Sequence, residues 1–156
     1  MTHNYSEDKL VQETTANYFR DKLGWGSVYA YNDEILGVEG SLGRVNDREI
    51  VLVRYLRQAL ERLNPQIPAS AYDAAVREIL STSVAKLDIQ INKEKYDLFK
   101  NGVLVTYQNE QSVAEKKKLR VFDFTNPENN HFLVVRELWV QGPLYRRRPD
   151  IIGFVN

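Results

Sequence analysis

The chain has 156 residues, enough for one globular domain with a real core and short for two. Apolar residues at 43% and charged residues at 27% match a folded globular chain and exclude wholesale disorder. Twenty-one basic residues cancel 21 acidic ones, which excludes a protein that coats nucleic acid through overall charge, and the lack of cysteine excludes disulfides, zinc ribbons and thiol catalysis.

The opening MTHNYSEDKLVQE has no basic stretch followed by an apolar run. No later segment approaches the ~20 apolar residues of a spanning helix. The chain therefore reads as cytoplasmic and not membrane-bound, and the sequon Asn4-Tyr5-Ser6 as accidental. With only His3 and His131, a histidine-rich metal site is not expected.

From Ser6, a candidate cap, Leu10, Val11, Thr14 and Tyr18 recur at helical spacing, with Gly24 placed to stop the helix. Glu13 then falls on the flank of the apolar stripe. The glycine-rich GSVYAYNDEILGVEGSLGRVND reads as a loop or small hairpin. Gly37, Gly40 and Gly43 fit neither nucleotide fingerprint, so no ATP site is expected there.

Asn46 and Glu49 resemble a capping box opening a second helix, along which Ile50, Val53, Leu56, Leu60 and Leu63 share a face until Asn64-Pro65. A third helix is predicted from Pro68, with Ala71, Tyr72, Ala75, Ile79 and Leu80 inward. A shorter one over Lys93 to Lys100 closes at Gly102. Beyond Gly102 the period drops to two, predicting strands at Val103 to Gln108, Leu119 to Phe124, Phe132 to Gln141 and Asp150 to Val155. NEQSVAEKKK and TNPENN read as turns.

The fold class implied is α/β or α+β: helices packed on a mixed, mostly antiparallel sheet. The expected organisation is a single domain over residues 1–156, helical in about 6–102 and sheet-forming in about 103–156.

Arg146-Arg147-Arg148-Pro149-Asp150 stands out chemically. Pro149 cannot donate to a sheet ladder, so it belongs at a strand start or edge, and Asp150 falls at the mouth of the apolar strand IIGFV. A carboxylate exposed beside guanidinium groups suits an acid that holds a divalent cation against a phosphodiester. Pro-Asp alone also occurs in many plain turns. The three arginines read equally as DNA-phosphate contacts or as a solvated hairpin. For Lys116, Lys117 and Lys118, placed in a turn, solvation is favoured. Most aromatic residues, Trp25 and Trp139 included, read as core or half-buried sheet residues rather than base-stacking platforms.

RRRPDIIGFVN resembles the first catalytic segment of the PD-(D/E)xK nucleases, in the form found near the start of the restriction (R) subunit of type I restriction-modification enzymes. LVQETTANYFRDKLGW, VLVRYLRQALERLNPQIP, NGVLVTY and VFDFTNPENNHFLVV follow the same order upstream, so the resemblance runs from about Ser6 to Asn156. It implies a restriction-endonuclease-like core that is incomplete at its C-terminus: the family's strand continues through Asn-Gly-Leu-Pro into a second strand bearing Glu-x-Lys.

By the same resemblance, Asp150 matches the metal-binding aspartate for Mg²⁺, and Glu13 matches an acidic position sometimes near the metal. From the residues alone, a solvated helix-edge carboxylate is the favoured reading of Glu13. Glu137 departs from the pattern, standing where these subunits often carry Gln. The implied partners are double-stranded DNA and the modification and specificity subunits, with ATP used only in the full-length subunit.

Metal-dependent phosphodiester hydrolysis is thus expected of the full-length protein, and none from this fragment. The alternative is a non-catalytic DNA-binding or subunit-docking domain with a degenerate nuclease fold. An uncovered edge strand over Asp150 to Asn156 would also favour association.

Overall fold

A computed structural model describes residues 8–82 and 85–156, so Ser6, His3 and the sequon lie outside the described residues. Helices accompany mixed and antiparallel strand pairings, in agreement with the expected class. The chain divides into two compact units, one built from residues 1–52 and 131–155 and the other from residues 53–130 with Asn156.

The first unit opens with a π-helical turn at Asp8–Glu13 that runs into α1, Thr14–Leu23. Gly24 stops α1 as expected: it takes φ 71°, and it and Trp25 donate their N–H groups to the carbonyls of Arg20 and Phe19. The inward face differs from the expected stripe. Leu10, Val11, Thr14 and Tyr18 are exposed, while Gln12 and Ala16 are buried. The irregular first turn rotates the stripe relative to an ideal helix, so spacing alone chose the wrong side.

β1 (Gly26–Tyr29), β4 (Phe132–Arg136) and β7 (Ile151–Val155) form a three-stranded sheet in the order β1-β4-β7. β1 runs parallel to β4, with Val28 opposite Val135, and β7 runs antiparallel to it, with Val134 opposite Gly153. As the central strand, β4 buries Leu133, Val134 and Val135 in succession. This replaces the expected alternation. Trp25 stacks against Phe19 and Phe132 at 4.7 and 5.0 Å. Its ring also faces Gly153, where an added Cβ would come within 3.3 Å of the indole.

The long strand expected over Phe132 to Gln141 is broken at Glu137, which takes φ 53°. Its remainder, β5 (Val140–Gln141), pairs with β6 (Arg146–Arg147) in a hairpin closed by the Gly142 N–H donating to the Tyr145 carbonyl. Residues 30–52 form a long loop; of the segment 26–47 read as a loop or small hairpin, Gly26–Tyr29 instead forms β1 of the sheet.

The second unit holds α2 (Val53–Leu63), α3 (Ala69–Leu80), α4 (Asp88–Asn101) and the hairpin of β2 (Val103–Gln108) and β3 (Ala114–Leu119). Leu56, Ala59, Leu60 and Leu63 of α2 join Ala71, Tyr72, Ala75 and Ile79 of α3 and Val103, Val105 and Leu119 of the hairpin in its core. Each fully buried leucine contributes about 2 kcal/mol of transfer free energy. Asn64 ends α2, and its side chain both accepts the Arg120 N–H at 2.8 Å and donates to the Arg120 carbonyl at 2.8 Å.

Here too some boundaries move. Asn46 and Glu49 bond the N–H groups of Arg48 and Val45 in a turn, not a helix start, and Ile50 is exposed. Leu80 is exposed, α4 begins five residues before Lys93, and the second half of the expected turn NEQSVAEKKK, from Ala114, belongs to β3 while its first half turns. TNPENN does turn, through a 3-10 helix at Pro127–Asn129. No described helix is long and apolar enough to cross a membrane.

Candidate functional site

The candidate residues 146–150 and Glu13 all belong to the first unit. Asp150 is exposed and directly precedes β7, whose pairing with β4 starts at Ile151 opposite Arg136. Pro149, lacking an N–H, leaves the ladder one residue earlier. The Asp150 carbonyl accepts the N–H of Glu137 at 2.9 Å, which fixes the backbone while leaving the carboxylate outward.

The arginines prove less free than a solvated hairpin. Arg146 pairs with Asp47 at 2.8 Å and lies 4.3 Å over the Trp139 ring. Arg148 stacks on Tyr31 at 4.3 Å and lies 5.3 Å from Trp139, with its guanidinium 3.7 Å from the Glu137 carboxylate. An Arg–Trp–Arg–Tyr stack results, in which cations sit over the negative faces of the rings. Arg147 touches the Tyr145 ring at 5.8 Å and forms no ion pair among the described residues.

Behind this stack lies a pair with no signal at sequence level. Arg44, 1% exposed, holds Glu34 through two bonds of 2.5 and 2.6 Å and donates to the Trp139 carbonyl at 2.6 Å. Three residues of the 30–52 loop, Glu34, Arg44 and Asp47, therefore support the segment from Trp139 to Arg148. Nothing in a glycine-rich loop marks Arg44 or Asp47 as supports of this segment, because the Trp139 carbonyl and Arg146 that they meet lie about 100 residues away in sequence.

Glu13 is half-buried at the end of the first turn, and among the described residues no hydrogen bond or ion pair joins it to Asp150. Its neighbour Gln12 points inward, with its Oε1 buried and without a hydrogen-bond partner among the described residues. No group of three or more His, Cys, Asp or Glu side chains converges among the described residues. A single exposed carboxylate has the right chemistry for one oxygen ligand of Mg²⁺, and these residues fit a share of such a site rather than all of it.

Residues 4–156 match the family model of the type I restriction enzyme R protein N terminus. The chain belongs to this family. As an R-protein N terminus it is also 37% identical over 136 residues to the type I restriction enzyme HindI endonuclease subunit of Haemophilus influenzae. That match covers 86% of the chain and 12% of the relative, so the chain spans a small fraction of the length of the curated protein it matches. No solved structure matches it.

Proposed function

We propose that this chain forms part of the DNA-cleavage module of an R subunit, with Asp150 a metal-ligating carboxylate. One observation carries the reading: in a chain of this family, Asp150 stands exposed at the start of β7. β4 pairs with β7 from Ile151 to Val155, and the Asp150 carbonyl accepts the Glu137 N–H, so the carboxylate stands where the paired strand begins. When bound, Mg²⁺ supplies charge neutralisation at the scissile phosphate and acidifies a bound water. The chain's own contribution is to orient Asp150 and to offer Arg147 to a neighbouring DNA phosphate. In this reading the full subunit hydrolyses phosphodiesters of double-stranded DNA, uses ATP, and works in the cytoplasm with modification and specificity subunits. The isolated 156-residue chain does not cleave.

Glu13 is the weaker candidate, since no hydrogen bond or ion pair links it to Asp150 among the described residues. The test is Asp150→Ala in the complete R subunit, assembled with its partner subunits and supplied with DNA, ATP and Mg²⁺. DNA cleavage should fall by at least about a hundredfold while ATP hydrolysis persists. Unchanged cleavage would remove Asp150 from the site and leave a DNA-binding or subunit-docking role for this region.

A further inference from the structure

β4 does not stop at Arg136 for want of apolar residues, since Leu138, Trp139 and Val140 follow it. It stops because Glu137 adopts φ 53°, a left-handed backbone that residues bearing a Cβ seldom take. Such bends usually lie on the surface and carry Gly, Asn or Asp. Glu137 is instead buried, at 9% exposure. Its two polar ends grip the residues on either side of Pro149. The N–H donates to the Asp150 carbonyl at 2.9 Å, and the carboxylate faces the Arg148 guanidinium at 3.7 Å. Proline has no N–H of its own with which to fix this stretch.

We propose that Glu137 is a positioning residue for the Pro-Asp strand mouth, its left-handed bend setting the backbone of Asp150 and its carboxylate holding Arg148 in the stack on Tyr31 and Trp139. The inference rests on the reading of Asp150 given above. It makes the break in the strand part of the site rather than a defect in the sheet: a regular strand would carry residue 137 past Asp150 without the bend.

Two substitutions separate the bend from the side chain. Glu137→Ala and Glu137→Gly both remove the carboxylate, but only glycine takes φ 53° without steric cost. In the complete R subunit, assayed below the melting midpoint of the less stable variant, Glu137→Ala should cleave saturating DNA about tenfold more slowly than Glu137→Gly. Both lose the carboxylate that faces Arg148, so a difference between them reports the bend and not the side chain. In the protein without metal or DNA, the amide of residue 137 should exchange its hydrogen faster in Glu137→Ala than in Glu137→Gly or the unaltered protein.

Equal cleavage rates for the two variants, or equal exchange at residue 137 in all three proteins, would overturn the proposal. An Asp150→Ala protein that still cleaves would instead overturn the reading of Asp150 as a metal ligand, and the exchange result would still decide whether Glu137 sets the backbone.

Discussion

Among single residues, those that hold the site in place are charged groups of one loop that meet each other or residues about 100 positions away. Arg44 and Glu34 are buried together, so removing one partner leaves an uncompensated charge out of water. Arg44→Ala should destabilise the protein by about 3–5 kcal/mol, measured as a lowered denaturation midpoint. Asp150 is exposed, and its replacement by Ala should move stability by less than about 0.5 kcal/mol. Arg147→Ala should lower DNA affinity uniformly across sequences and reduce the salt slope of binding by about 1, read from a titration at several salt concentrations. Asp123 carries a different, pH-linked signal. Bonds from the Asn129 side chain and the Asn126 N–H hold its carboxyl below the usual carboxylate range. A depressed folded-state pKa adds stability above the unfolded value, about pH 4, and that stability is lost as pH falls through the folded value. Acid unfolding of Asp123→Asn should therefore show a shallower dependence on pH at the acidic end.

At the level of elements, the strand that leads out of Asp150 sets the behaviour. β7 pairs with β4 on one side, and no described strand pairs with the other, leaving Ile151, Ile152 and Phe154 half-buried and Val155 exposed. An apolar edge of this kind templates further pairing, so the isolated chain should self-associate as its concentration rises. A monomeric mass at all concentrations in light scattering would refute this. β3 shows the opposite management: Glu115 and Lys116 to Lys118 fill the exposed strand, and lysine on a strand discourages edge-to-edge association. That same run read as a turn in the sequence, because charge suggests solvation but does not distinguish a solvated strand from a solvated loop. Strand β2 was legible to the residue, since its Val103 and Val105 alternate against exposed Leu104 and Thr106. β4 was not resolved at its end, because apolar residues continue through Glu137 and only a backbone angle breaks it.

For the molecule as a whole, the prediction is that the purified 156-residue chain leaves supercoiled plasmid intact in Mg²⁺; nicking that Asp150→Ala abolishes would contradict it. The sequence by itself determined the mixed helix-and-strand class, α2 and α3 with most of their buried faces, the Gly24 and Gly102 stops, and Pro149-Asp150 at a strand mouth. These depend on local periodicity, proline's missing N–H and glycine's backbone freedom, all of which act over a few residues. Its ordered segments also pointed to the family, which the match over residues 4–156 established. Only the tertiary structure decided that β4 lies at the centre of its sheet, that the π-helical turn before α1 buries Gln12 rather than Leu10, and that Arg146 and Arg148 stack on Trp139 while Arg147 forms no ion pair among the described residues. It alone also revealed Arg44 and Glu34 beneath that stack and the bend at Glu137. Each of these depends on a partner brought close by the fold, and the energy of a buried charge or a stacked ring exists only once that partner has arrived.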